Sequence, residues 1–221
     1  MKELVLIGNG KLADAIYDGF HNYSDIPVKK YAEDLEVDKD TIFVHVGSGR
    51  EYLETLALAE KHGASYIQAA TERGIQLDPP PGTGITYIHA PNLDINIIKL
   101  FYLLKSAKDL FKDESISIIE SHQKEKKSQP GTALKFCDYL QVPRESIVSI
   151  RDPDYQKKLH ITNLDHHAFH RIRIGNEHSS ITIETKIEGA ASYVEGLARI
   201  VQCLPELDKG IYEIDELVTL L

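Results

Sequence analysis

The sequence predicts an α/β protein, with a Rossmann-type parallel sheet first and a second α+β domain built on a mixed or antiparallel sheet. Three observations predict it. The apolar run Leu4-Val5-Leu6-Ile7 ends on Gly8-Asn9-Gly10-Lys11-Leu12-Ala13 and passes directly into helical spacing. Strand-like and helix-like segments then alternate as far as Ala90-Pro91-Asn92. Beyond that point, runs such as His170-Arg171-Ile172-Arg173-Ile174 alternate polar with apolar residues, the pattern of antiparallel strands with one wet face.

Taken in order, residues 4–7 read as a buried parallel strand, because a short apolar run is closed by glycine. Leu12, Ile16 and Phe20 fall four apart, so residues 11–23 read as a helix. Residues 26–31 form a weak second strand, 34–40 a polar connection and 41–46 the third strand. Gly47-Ser48-Gly49 turns into a helix over 51–62. Strands at 64–69 and 86–89 flank a Pro/Gly-rich stretch, 78–84. A helix over 95–110 precedes a strand at 115–120, a polar loop and a helix over 133–140. Residues 147–187 read as several antiparallel strands, 190–204 as a helix, and the acidic tail ends in a short helix.

With 221 residues the chain makes one large domain or two small ones, and either buries a proper core. A net charge of -9 argues against a nucleic-acid partner, which needs a basic face. It leaves room for a small anionic substrate, since residues 122–127 are a local cationic exception. Cys137 and Cys203 sit among apolar neighbours inside predicted helices and read as buried free thiols. The chain has no CxxC or HExxH spacing, and His166, His167 and His170 face opposite sides of an alternating strand, so no metal site is expected. No leader-like segment or apolar run of about 20 residues is present, which gives the expectation of a cytoplasmic protein with no membrane span.

The glycine turn has a mechanical reading. Gly8 permits a tight turn, Gly10 lets the backbone approach a pyrophosphate, and Ala13 lets helix and strand pack closely. The pyrophosphate would lie at the helix start, where free amides and the dipole favour negative charge. Near the end of the second strand stand Lys29 and Lys30, with Glu33 and Asp34 just beyond. Lysine there suits the 2′-phosphate of NADPH and an acidic residue suits the ribose of NADH, so the cofactor expectation is NADPH or NADH with a lean to the former.

The segment from Ile118 to Leu134 holds His122, Lys126 and Pro130-Gly131-Thr132 ahead of a helical pattern. It thus supplies a proton donor, a cluster of cations and a helix start within about a dozen residues. This segment resembles the catalytic loop of the dihydrodipicolinate reductase (4-hydroxy-tetrahydrodipicolinate reductase) family, E-x-H-H-x-x-K-x-D-A-P-S-G-T-A. The chain reads Glu120-Ser121-His122-Gln123-Lys124-Glu125-Lys126-Lys127-Ser128-Gln129-Pro130-Gly131-Thr132-Ala133. The order of Ala90-Pro91-Asn92, this loop, His170 and Gly210-Ile211-Tyr212 also matches, so the resemblance spans nearly the whole chain.

The resemblance implies a reductase of a small dicarboxylate cyclic imine in lysine and diaminopimelate biosynthesis. It implies His122 as the proton donor and Lys126 as its cationic partner, with Gln123, Gly131, Thr132 and His170 at the substrate. It implies cofactor contacts at Gly8, Asn9, Gly10, Lys11, Leu12, Lys30, Gly47, Ala69, Thr71, Ala90 and Asn92. It further implies residues 1–92 with 190–221 as the dinucleotide-binding domain, 93–189 as the substrate and oligomerisation domain, and a homotetramer built through the second sheet.

The chain also departs from the family pattern. The loop is one residue shorter and lacks the serine of Ser-Gly-Thr, and Gln123 replaces the second histidine. The family's Gly-Thr-Thr-Gly is here Gln68-Ala69-Ala70-Thr71, and its Asp-Phe-Thr is here His45-Val46-Gly47-Ser48. The glycine turn is one residue short, although Lys11 and Leu12 keep the Arg-Met positions in kind. Two alternatives therefore stand beside the main reading: a related imine or oxo-acid reductase with another substrate, and a nucleotide-binding paralogue with impaired chemistry.

Overall fold

The structure is a computed structural model that describes residues 2–32, 35–47, 49–70, 84–124 and 130–221. The elements run β1 (Glu3–Ile7), α1 (Lys11–Gly19), β2 (Val28–Lys30), β3 (Thr41–His45), α2 (Tyr52–His62), β4 (Ser65–Gln68), β5 (Thr86–His89) and α3 (Ile95–Ala107). They continue with β6 (Ile116–His122), α4 (Gly131–Leu140), β7 (Ile147–Ile150), α5 (Pro153–Lys158), β8 (His167–Gly175), β9 (Ser180–Glu188), α6 (Ala191–Cys203) and β10 (Gly210–Glu213). Contacts divide the chain into two units, Met1–Ile98 with Ala191–Leu221, and Lys99–Ala190.

The first unit is a six-stranded parallel sheet in the order β10-β5-β4-β3-β1-β2. Successive side chains of a strand point to opposite faces, so both faces of β1 must be covered. Leu4 and Leu6 join a core with α1 and α6, while Val5 and Ile7 join a second core with α2. From β1 the chain steps one way to β2, then returns past β1 to β3 and on to β4 and β5. Right-handed crossovers in opposite directions put α1 and α2 on opposite faces. They also create a topological switch point between the carboxyl ends of β1 and β3.

The α2 face is polar at its centre. Tyr52 and Tyr87 share a hydroxyl–hydroxyl bond of 2.8 Å, and Thr55 Oγ1 lies 3.0 Å from the hydroxyl of Tyr66. Tyr66 and Tyr87 stack with their planes 2° apart. Each buried phenol is thus given a partner, without which its desolvation would cost about 1–3 kcal/mol.

The second unit carries a four-stranded sheet in the order β7-β6-β8-β9. β8 and β9 pair antiparallel, as the alternation predicts, but β7 runs parallel to β6. Two differences from the expected elements bear on the site. β6 extends two residues further, so His122 ends a strand instead of lying in a polar loop. The expected antiparallel run after 147 contains α5, which opens on Asp152 as N-cap and Pro153 in its first turn. The aspartate carboxylate accepts from the backbone N–H of Tyr155, at 2.9 Å. Cys137 and Cys203 are buried on α4 and α6. Among the described residues, no helix is long and apolar enough to cross a membrane.

Candidate active site

In the first unit Gly8, Gly47, Ala69 and Ala90 each follow a strand, β1, β3, β4 and β5, so the ladder brings them to one carboxyl edge. Backbone bonds continue past the strand ends: Val46 N–H donates to Ile7 O at 2.9 Å, Ala69 N–H to His45 O at 2.8 Å and Ala90 N–H to Gln68 O at 2.8 Å. Gly8 has φ +135°, and a Cβ there would lie 2.8 Å from the Gly47 nitrogen. Only glycine lets the turns after β1 and β3 touch at the switch point. Gly10 differs. It precedes α1 in extended backbone (φ −99°, ψ 174°), no side chain caps the helix there, and a Cβ would meet open space. An uncapped helix start facing open space beside a two-glycine turn fits the pyrophosphate of a dinucleotide.

Of the other cofactor candidates, Asn9 and Lys11 are exposed and Leu12 is half-buried at the start of α1. Asn92 accepts through Oδ1 from the Asp94 N–H at 2.8 Å. Lys30 ends β2, but its ammonium lies 3.1 Å from Asp14 Oδ1 and 5.1 Å from the ring centre of Tyr17. Thr71, Glu33 and Asp34 lie outside the described residues, as does Lys126.

The second unit assembles a compact charged group around His122. On β6, Ile118, Glu120 and His122 share one face, and the antiparallel register sets His170 opposite Glu120. Nδ1 of His122 lies 2.6 Å from Oε2 of Glu120. The other oxygen of Glu120 accepts from the Arg151 guanidinium at 2.8 Å, and Arg151 also donates to the carbonyl of Ile150 at 2.9 Å.

The Glu120 side chain is fully buried. Burial alone would raise its pKa, but hydrogen bonds from His122, Arg151 and Ser149 outweigh it and hold the carboxyl at about 2. An ionised carboxylate only accepts, so the Nδ1–H of His122 must donate to it. Proton exchange by this imidazole is thereby assigned to Nε2.

His170 stands edge-on to His122, with ring centres 5.8 Å apart and planes at 79°. Its Nδ1 is 3.0 Å from Thr185 Oγ1, and Phe136 of α4 packs against its ring. Gly131 and Thr132 are the first two residues of α4, which no side chain caps. Gln123 follows His122 and is half-buried.

The opposite face of β6 holds a second polar group. Ser121 Oγ is 3.0 Å from Nε2 of His167, whose Nδ1 is 3.0 Å from the carbonyl of Asn163. That carbonyl can only accept, so Nδ1 carries the proton and Nε2 accepts from the serine hydroxyl. Burial pushes the His167 imidazole below its ordinary value, consistent with a neutral ring. Gln156 of α5 donates to Ser121 Oγ at 3.0 Å and to the carbonyl of His122 at 2.9 Å. The end of β6 is therefore tied on both faces.

The sequence reading missed Glu120, Ser121, Arg151 and Gln156 as partners of His122. A signal existed for Glu120: with the strand carried to 122, the two-residue period sets it beside the histidine. Arg151 and Gln156 had none, because their places depend on the parallel pairing of β7.

A family model described as the C-terminus of dihydrodipicolinate reductase matches residues 96–218, more than half the chain. The chain belongs to the dihydrodipicolinate reductase family. The 4-hydroxy-tetrahydrodipicolinate reductase of Bacillus pumilus is 25% identical over 226 residues, covering 94% of this chain and 83% of that relative. The one from Carboxydothermus hydrogenoformans is 29% identical over 144 residues, covering 59% of this chain and 54% of its own length. In that alignment the chain spans about half of the relative.

Among solved structures, a dipicolinate-bound dihydrodipicolinate reductase from Paenisporosarcina sp. TG-14 superposes with a TM-score of 0.66 at 16% identity, covering 98% of this chain and 99% of the other. An aspartate dehydrogenase from Thermotoga maritima superposes with a TM-score of 0.54 at 13% identity, covering 95% and 100%. These likenesses establish the shared α/β fold of this dihydrodipicolinate reductase family member.

Proposed function

We propose that the protein is an NAD(P)H-dependent reductase of 4-hydroxy-tetrahydrodipicolinate, yielding tetrahydrodipicolinate for lysine and diaminopimelate biosynthesis. The observation that carries this reading is the buried Glu120–His122 pair at the end of β6, in a chain of that family. Gly8, Gly10 and the start of α1 would hold the dinucleotide pyrophosphate, with Gly47, Ala69 and Ala90 along the same edge. A bound dihydronicotinamide supplies a hydride. The 4-hydroxyl of the substrate leaves as water, and hydride addition to the resulting unsaturated cyclic imine leaves an enamine that needs a proton, which His122 would give from Nε2.

Lys126 would neutralise a substrate carboxylate, and Gly131 and Thr132 would offer it the amides at the start of α4. His170 and Gln123 would line the substrate. Of the two dinucleotides, Lys30 favours NADPH once it exchanges Asp14 for a 2′-phosphate. The tetramer implied by the resemblance belongs to the same reading, and light scattering of the purified protein tests it.

A second substrate in the same chemical class is favoured by one observation. Where the family has Gly-Thr-Thr-Gly, Gln68 is buried and its amide bonds to both backbone groups of Ala70, closing that turn on itself. A related cyclic imine of different shape is therefore the alternative.

The test is a coupled assay in which the upstream synthase generates the substrate beside NADPH or NADH. Oxidation of dinucleotide that depends on the synthase supports the reading. Oxidation with other cyclic imines and none with this one transfers the assignment to the alternative.

A further inference from the structure

Arg151 is absent from the family loop that the sequence displays, yet it is joined to the proposed proton donor through a single carboxylate. Its guanidinium is a quarter exposed and donates to Glu120 Oε1 at 2.8 Å and to the carbonyl of Ile150 at 2.9 Å. The second bond fixes the planar fork, so the first is directional as well as charged. Glu120 in turn accepts from His122 Nδ1 through its other oxygen. The three groups form one line, cation–anion–imidazole, across two adjacent strand ends.

We propose that Arg151 is a positioning residue which, through Glu120, sets how readily His122 gives up its proton. A buried carboxylate bonded to an imidazole stabilises the imidazolium and, acting alone, makes it a reluctant acid. A guanidinium on the far oxygen draws on the same carboxylate charge and weakens that hold. Glu120 remains ionised under this double demand, at about 2. The consequence for catalysis rests on His122 being the proton donor, while the consequence for its titration does not.

Among the described residues, the groups that face the ring from the neighbouring elements make other bonds. β8 contributes His170, edge-on and bonded through Nδ1 to Thr185. α4 contributes Phe136 against His170, and its Lys135 lies over the rings of Phe101 and Tyr139. β7 contributes Ser149 to Glu120, and Gln156 of α5 bonds Ser121 Oγ on the opposite face and the backbone carbonyl of His122. Glu120 on the ring's own strand is the group through which Arg151 connects.

The test is an NMR titration of the histidine rings, with the His122 signal assigned by its loss in His122→Asn. In Arg151→Gln the His122 midpoint rises by about one pH unit, and in Glu120→Gln it falls. Arg151→Lys keeps the charge and stays near the wild-type midpoint. An Arg151→Gln midpoint equal to wild type overturns the proposal.

Should Arg151→Gln fail to fold, because its carboxylate is then buried without its partner, Glu120→Gln is compared with Glu120→Gln/Arg151→Gln. Agreement within about a third of a unit shows that Arg151 acts through Glu120, and a gap of a full unit overturns it. Activity is measured separately. An inactive wild-type protein with these midpoint shifts would remove the reductase reading and leave this inference standing.

Discussion

Glu120 and His122 are two residues apart on one face of one strand, and the carboxylate lies 2.6 Å from Nδ1 of the imidazole. The strand's two-residue period makes the two side chains neighbours, and bonds from Arg151 and Ser149 help keep the carboxylate ionised so that it fixes the tautomer. That division of labour leads to separate expectations for the pair, its supports and the glycine edge.

Gly8 and Gly10 should respond differently to alanine. Gly8→Ala drives a Cβ to 2.8 Å from Gly47 at φ +135°, so it should cost about 1–3 kcal/mol of stability and disturb the edge. Gly10→Ala meets open space in allowed backbone and should leave Tm nearly unchanged. It would nonetheless occupy the space assigned to the pyrophosphate. Calorimetric titration should find dinucleotide Kd raised about tenfold or more, corresponding to at least about 1.4 kcal/mol. Unchanged Kd in Gly10→Ala would dissociate that helix start from the cofactor.

Gln156→Leu should loosen the end of β6 from behind. It removes donors from Ser121 Oγ and the His122 carbonyl, leaving buried groups unsatisfied at about 1–3 kcal/mol. Urea denaturation reads the stability, and kcat should fall while dinucleotide Kd stays the same, since the first unit is untouched.

Gly196 on α6 is a packing contact of a different kind. A Cβ there would lie 1.7 Å from the carbonyl oxygen of Leu93, so helix and chain meet backbone to backbone. Gly196→Ala should force α6 away and cost about 3 kcal/mol or more, as overpacking against backbone does. A wild-type denaturation midpoint would show that this contact yields easily.

Acid should weaken the fold in two stages. Burial pushes His45 and His167 below the ordinary 6.5, so their neutral forms stabilise the fold above that pH, and the contribution is lost as pH falls towards their folded values. Glu120 and Glu188 titrate at about 2 instead of 4.5, so their contribution is present above 4.5 and lost as pH falls towards 2. The backbone N–H of Asn163 and the Thr162 hydroxyl and N–H hold Glu188 down. Tm against pH should decline first below about 6.5 and again below about 4.5. His45→Leu should flatten the first decline.

Most of the first unit was legible because its central strands are short runs closed by turns, and 86–89 was read to the residue. β10 was not read as a strand. It is four residues long, lies at an edge, and exists only through pairing with β5 more than a hundred residues earlier. α5 was legible in principle, since Asp152-Pro153 is a helix-start signal. It was masked by the expectation of continuous antiparallel strands. The direction of β7 carries no local signal, and with it went Arg151 and Gln156. The histidine itself stood out in the sequence, whereas its electrostatic environment belongs to tertiary pairing.

The central claim is that His122, fixed by Glu120, supplies the proton in a dinucleotide-dependent reduction. Its most direct test is kcat of His122→Ala in the synthase-coupled assay, beside dinucleotide Kd for the same protein. The account predicts a loss of about 10²–10⁴-fold in kcat with Kd unchanged. Wild-type turnover in a folded His122→Ala protein would contradict it.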